Sequence, residues 1–434
     1  MRHSGVPVDD ASECNMPKDH WSSASRRSVL AATLAAPLTA GLTAPAHAQR
    51  KPKQPPGSRS AGRWDHHLQA TPDNLHWGGF PIDGDPALVI ASGQTVRVDM
   101  LSHQGATQAT HPVDYFAAFG AGPDAVLPDA ITFWQSRAER EASGRRYGGH
   151  VLTGPIYIDG AEPGDTFAID IMDVKTRAPY GFNNTGPTTG VMATSYPGWR
   201  EGDAGLDIPA DIPADKPAGV WPDVRTHMYE VAKHKGEDVV FFSDDVTIPA
   251  RPFPGIVAVA PESGVFIGNT EDAPLPVTGV QNSTPPWTFG GNMDVRDLCS
   301  GSTLYLPVFQ PGGQVFIGDP HSCQGDGEVS GTAVEHSLVG NFRIAVIKNT
   351  ETELPWAEND THWIMMGIHW DLDRAMRMAV EKTVDFLVTT QGMTAPKAYS
   401  FASIAVNYHN AEVVDRTQVV TGYIPKNVFG VPRR

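Results

Sequence analysis

From about residue 64 to about residue 350 the chain is built of short segments that alternate apolar and polar residues and are punctuated by proline and glycine. Thr95-Val96-Arg97-Val98-Asp99-Met100 alternates, and so does Thr166-Phe167-Ala168-Ile169-Asp170-Ile171. A period of two is what a strand needs to bury one face and leave the other in a more polar setting. Between Ile158 and Thr166 stands Asp159-Gly160-Ala161-Glu162-Pro163-Gly164-Asp165. Proline presets φ and glycine tolerates φ > 0, the pair a type II turn requires. Residues 155–173 therefore read as a hairpin. A second hairpin is read through Leu304–Phe309, the turn Gln310-Pro311-Gly312-Gly313 and Val315-Phe316-Ile317. With 43 glycines and 37 prolines in 434 residues, turns are too frequent for long helices in this stretch.

The pattern changes past residue 370. Leu372, Ala375, Met376, Ala379, Val380, Val384 and Leu387 recur at helical spacing, with Asp371 placed as N-cap. A shorter helix is expected from Thr394, with Pro396 in its first turn. Strand patterning resumes near Ala405. The expected fold is mainly β, sandwich- or barrel-like, with a small α+β C-terminal portion.

The N-terminal 48 residues read as a leader. Arg26-Arg27 precede an uncharged, Ala/Thr/Leu-rich stretch that runs to Ala44, and Ala46-His47-Ala48 matches a small-residue cleavage site. Paired arginines in that setting indicate the twin-arginine export machinery and a periplasmic or secreted location. The apolar stretch is too short to span a bilayer, so no stable membrane insertion is expected. Residues 49–62 form a Pro-rich basic linker, and 63–434 the globular region. The Pro/Ala/Asp-rich run 208–223 reads as an irregular insertion. A net charge of −16 without a basic stripe excludes nucleic acid as a partner. Of three cysteines, Cys14 falls in the leader. Cys299 and Cys323 remain, too few for a disulfide scaffold.

The densest polar cluster is Gly318-Asp319-Pro320-His321-Ser322-Cys323-Gln324-Gly325-Asp326-Gly327-Glu328, with Glu335 seven residues on. It follows a strand, where scaffolds often hold reactive groups. Imidazole with carboxylates is the ligand set of zinc and related divalent ions, and glycines let the backbone approach a bound group closely. A glycine-rich turn merely capped by its acids is the competing reading.

Several blocks, in one consistent order, resemble the acetamidase/formamidase family. They are His76-Trp77-Gly78, Gly154-Pro155-Ile156-Tyr157-Ile158 with Ala161–Asp165, and Pro254-Gly255-Ile256-Val257-Ala258-Val259-Ala260-Pro261. Gly290-Gly291-Asn292-Met293-Asp294, Gly301–Val308, Gly318–Glu328 and Gly331–Glu335 complete the set. The resemblance covers about residues 64–428. It implies the β-rich acetamidase/formamidase fold and hydrolysis of small non-peptide amides to carboxylate and ammonia. It further implies a divalent metal, zinc by preference with calcium as an alternative, and a homo-oligomer. The export leader, the long 200–250 region and Pro252-Phe253-Pro254 depart from the family pattern.

On this reading Asp294, Asp319 and His321 are the metal ligands. Glu328 or Glu335 is the general base and later acid, and the metal activates water and polarises the carbonyl. Backbone N–H groups near Gly325 and Gly327 are candidates for the oxyanion. His76 is a candidate pocket residue, while His103 and His111 with Asp114 are further ligand candidates. His66-His67 reads as surface, and His362 and His369 as core or strand entry. Two alternatives stand. Cys323, a substrate-contact candidate beside His321, could instead be the nucleophile. The chain could also be a non-catalytic exported binding protein.

Overall fold

The computed structural model describes residues 64–143, 148–185, 190–191, 225–262, 279–350 and 352–430. The leader, the linker at 49–62 and the 208–223 run lie outside them. Among the described residues the strands form four sheets. The largest has nine strands in the order His66–Leu68, Thr95–Met100, Leu338–Ile347, Thr166–Thr176, Ser302–Pro307, Trp356–Glu358, His362–His369, Gln418–Pro425, Asn407–Glu412. A six-stranded sheet runs Gly290–Asn292, Phe253–Val259, Val315–His321, Val151–Asp159, Leu75–Trp77, with Leu88–Ala91 also paired to Val151–Asp159. Four strands, Val246–Pro249, Glu237–Ser243, Arg225–His234 and Tyr180–Thr185, make a third sheet. Val280–Asn282 pairs with Gly79–Pro81.

The two large sheets share one hydrophobic core. Ile169, Ile171, Leu304, Leu306, Phe342 and Ile344 come from the first, and Leu152, Ile156, Ile256, Val257, Val315 and Ile317 from the second. Both faces of the Phe253–Val259 and Val315–His321 strands are buried. This is the arrangement of a sandwich, and the mainly β expectation holds.

Neither expected hairpin forms. Val151–Asp159 lies in the six-stranded sheet and Thr166–Thr176 in the nine-stranded one, so the 159–165 turn carries the chain across the sandwich. Ser302–Pro307 and Val315–His321 are divided in the same way. Alternation tells which face of a strand is apolar. It does not tell which strand lies beside it. The two crossing turns are tied together instead: Ile158 N–H donates to Gly312 O (3.0 Å), Gly312 N–H to Ala161 O (2.8 Å) and Gly164 N–H to Val308 O (3.1 Å). The Asp165 carboxylate accepts from Glu162 N–H (2.9 Å), Asn349 N–H (3.0 Å) and Lys348 Nζ (2.6 Å).

The C-terminal helices form as expected. Leu372–Gln391 starts with Asp371 Oδ1 accepting from Arg374 N–H (2.9 Å) and ends at Gly392 in the left-handed region, φ 65°. Ala395–Ala405 follows, with Thr394 as N-cap. The strands around these helices are four of the nine in the large sheet, so the C-terminal α+β portion continues that sheet. Three short helices inside the stretch read as β were missed: Pro112–Ala117, Pro128–Gln135 and Arg137–Ala142. They clamp the loop after Thr95–Met100. Trp134 Nε1 donates to Gln108 O (2.9 Å) and Arg137 Nε to Thr107 O (2.8 Å).

Candidate metal centre

His321 is the last residue of Val315–His321 and stands opposite Phe253 in the neighbouring strand. Glu335 reaches it through an isolated antiparallel bridge, and makes a second such bridge to Phe182. Asp319 lies two residues before His321, and Asp294 two residues after Gly290–Asn292. Glu328 closes the loop, because Gly327 is bridged to Glu412 of the Asn407–Glu412 strand. Residues between Asp294 and Glu335 thus arrive at one end of the six-stranded sheet.

Local backbone preferences are overridden to do this. Asp294, Asp319 and Glu328 hold φ of 48°, 48° and 46°, in the left-handed region that non-glycine residues seldom adopt. Such conformations cost free energy and persist only where the surrounding structure imposes them. Gly255, opposite, makes room for them. A Cβ on it would lie 2.9 Å from both the backbone O and Oδ2 of Asp319, and closer still to Asp294 Oδ1. This is a physical need for the glycine in Pro254-Gly255-Ile256.

The site is buried and crowded. Asp294, Asp319, His321, Glu328 and Glu335 are 1%, 4%, 0%, 7% and 2% exposed. His321 Nε2 lies 3.3 Å from Asp319 Oδ2 and 3.2 Å from Glu335 Oε1, and its Nδ1 lies 3.5 Å from Asp294 Oδ1. His103 Nδ1 faces Glu335 Oε2 at 3.5 Å, and His150 Nε2 stands 4.0 Å from Asp319 Oδ2. Asp415, fixed by Asn292 Nδ2 (2.7 Å), adds a further carboxylate.

So many buried acids cannot all stay ionised without compensation. Burial, then Glu328, pushes Asp294 well above the carboxylate range; burial, then Asp415, does the same to Glu328. Asp415 is raised to about 6, chiefly by burial. For Asp319, burial is outweighed by the imidazoles of His321, His150 and His103, which hold it below the usual range. For His321 burial is likewise outweighed, here by Glu335 and Asp319, and its pKa is raised.

A divalent cation fits this set. Asp294 Oδ1 and Oδ2, His321 Nε2 and Glu335 Oε2 are buried and lack hydrogen-bond partners. Ligand atoms of Asp294, His321 and Glu328 lie within 4.8 Å of one another, as do those of His103, Asp319 and Glu335. Buried, bare, convergent oxygen and imidazole donors are what a metal-binding site offers.

Other candidates fall elsewhere. His76 Nε2 is bonded to Gly154 O (3.1 Å), and burial lowers its pKa to about 4. It lines a different cavity, of about 230 Å³, with Trp77, Arg140 and Val280. Gly327 N–H is already donated to Ala411 O (2.9 Å), so it cannot serve an oxyanion, and Gly325 is exposed. Cys323 packs with Val231, Val240 and Val334, and burial raises its thiol to about 11. A thiol so placed is protonated at neutral pH, which disfavours a nucleophilic role. His111 accepts from Val113 N–H (3.3 Å) at a helix start and meets Trp134 edge to face; it takes no part in the site. His103 does take part. His150, Asp415 and Gln324 were not singled out by sequence reasoning. Gln324 lies inside the polar cluster and was legible there, whereas His150 and Asp415 carry no motif.

Fold and site together define a β-sandwich protein with a buried carboxylate–imidazole centre suited to a metal ion. The sequence profile of the Acetamidase/Formamidase family matches residues 145–271 and 264–431, and the chain belongs to that family. It is 30% identical over 223 residues to a formamidase of Methylophilus methylotrophus, covering 46% of this chain and 52% of that protein. It is also 30% identical over 210 residues to an acetamidase of Mycolicibacterium smegmatis, covering 42% and 49%. The matched region spans about half the length of these relatives. Among solved structures, an acetamidase from Yersinia enterocolitica superposes with a TM-score of 0.61 at 28% identity, over 84% of this chain and 93% of that one. An acetamidase from Bacillus halodurans gives 0.61 at 21% identity, over 84% and 100%.

Proposed function

We propose that this protein hydrolyses the C–N bond of small, non-peptide amides to a carboxylate and ammonia, with a divalent metal, zinc by preference, held by Asp294, Asp319 and His321. The observation that carries the reading is the convergence of five buried acid and imidazole side chains with bare, inward-facing donor atoms. The names of the relatives, formamidase and acetamidase, support the substrate class.

A bound divalent ion supplies an acidified water and polarisation of the amide carbonyl. The protein does the rest. Asp319, whose pKa lies below the usual carboxylate range, contributes a negative ligand. Glu335 has one oxygen bonded to Ala333 N–H (3.1 Å), while the other faces His103 Nδ1 at 3.5 Å without a hydrogen bond and is free to accept a proton. Glu328 is kept protonated by burial and by Asp415, which suits it to donate to the leaving nitrogen. The buried surroundings strengthen each of these interactions.

The test is metal analysis of the purified protein coupled to an ammonia-release assay over formamide, acetamide and a lactam. The expected result is about one tightly held divalent ion, turnover of at least one amide, and loss of turnover on chelation that zinc restores. Turnover that survives complete metal removal would overturn the metal, and absence of ammonia with every amide would overturn the reaction.

A further inference from the structure

Two glutamine side chains fix which nitrogen of each histidine carries the proton, and a backbone group sets the glutamine's orientation, directly for Gln324 and through Gln108 for Gln104. Gln324 Nε2 lies 2.8 Å from Asp294 O and 3.3 Å from Ala411 O. Carbonyl oxygens only accept, so the NH2 end of the amide must face them. Its Oε1 is thereby directed at His321 Nδ1, 3.1 Å away. That nitrogen must carry a proton. Once the ring is neutral, Nε2 is bare and points between Asp319 Oδ2 and Glu335 Oε1.

The second relay runs from the clamped loop. Gly105 N–H donates to Gln108 Oε1 (2.6 Å), so Gln108 Nε2 donates to Gln104 Oε1 (3.3 Å). Tyr115 Oη donates to the same oxygen (2.9 Å). Gln104 Nε2 is then turned to His103 Nε2 at 3.2 Å, which must accept. The proton of His103 is left on Nδ1, the atom that faces Glu335 Oε2.

We infer that the two histidines have different roles: His321 presents a bare Nε2 and is a cation ligand, whereas His103 presents Nδ1–H and is a positioning residue that orients Glu335 without binding the cation. Gln324 and Gln104 are the positioning residues that enforce the difference. Both rings share the same tautomer; what differs is the edge each turns to the site. The inference rests on the metal reading for its consequence, and not for the tautomers themselves.

Four variants test it, each measured for zinc affinity by chelator competition and for histidine tautomers by 15N NMR. Gln324→Met is expected to lose zinc affinity about 10–100-fold, the usual effect of removing a ligand's orienting partner. His321→Asn should lose more. His103→Asn and Gln104→Met should hold zinc within about 3-fold of wild type, while kcat falls, because Glu335 is no longer held in place. In the metal-free protein, at a pH where the rings are neutral, both should carry Nδ1–H, with His321 becoming a tautomer mixture in Gln324→Met and His103 in Gln104→Met. Loss of zinc by His103→Asn as severe as that by His321→Asn would overturn the assignment. So would an Nε2–H tautomer at either ring. If wild type binds no zinc, the metal reading fails, and the NMR result still decides the tautomers.

Discussion

The helix Leu372–Gln391 and the acid–imidazole centre are built on opposite principles. In the helix every local preference agrees with the outcome. Asp371 caps the start, Gly392 takes the left-handed residue at the end, and Ala375, Ala379, Thr383 and Leu387 are buried at helical spacing. In the centre local preferences are set aside. Three acids are held at positive φ, five ionisable side chains are taken from water, and several donor atoms are left bare. Agreement across levels makes a segment stable and readable; its violation in one place marks where free energy is held for chemistry.

The sharpest way to break this contrast is to neutralise the centre. Glu328→Gln is expected to lower kcat by about 10²–10⁴-fold, the usual contribution of a general acid or base, and to raise the unfolding temperature, since the buried carboxyl must take up a proton on folding at neutral pH and the amide need not. An active variant of unchanged stability would show that Glu328 is neither. Next is Gly255→Ala. Its methyl would meet the Asp294 and Asp319 carboxylates, so metal affinity should fall about 10–100-fold while circular dichroism stays native. Retained affinity would mean that the two carboxylates have room to move.

A third expectation concerns pH. His76 is half-buried and His336 buried, and burial lowers the pKa of each to about 4. His336 is bonded to Ser322 Oγ and to Ala178 O (2.7 Å). An unfolded chain takes up these protons near pH 6.5, so their contribution is complete above about 6.5 and is lost as pH falls toward about 4. Urea midpoints should drop over that window, and His336→Gln should flatten the slope. An unchanged slope would assign the acid sensitivity to other groups.

The helix gives the smaller effects. Asp371→Ala should cost about 1 kcal/mol, as a lost N-cap does, with kcat unchanged; a fall in kcat would tie the helix to the centre. Last, Cys323→Ala should leave amide hydrolysis intact, because its thiol is packed among valines and protonated. Abolished turnover with the metal still bound would restore a cysteine mechanism.

These contrasts also explain what could be read in advance. The mainly β body, the C-terminal helices with Asp371 as a cap and Thr394 as a start, and the Asp319–Glu335 cluster were all legible, since each is written in residues near one another in the chain. The two sheet-crossing turns were misread as hairpins because Pro163-Gly164 and Pro311-Gly312 specify a reversal without specifying a partner. The short helices at Pro112–Ala117, Pro128–Gln135 and Arg137–Ala142 carry too few turns to show a period against proline-rich surroundings. His76, equally prominent in the sequence, went to a different cavity.

The amino-acid order alone determined which faces are apolar, where helices start and stop, and that acids and an imidazole crowd one strand end. Only tertiary structure decided that His150 and Asp415 join them, that the Gly327 N–H is bonded to Ala411 O, and that Cys323 packs among valines. The reason is physical: local patterns act over a few residues, whereas the centre exists through contacts between strands tens to hundreds of residues apart, whose pairing no local preference encodes.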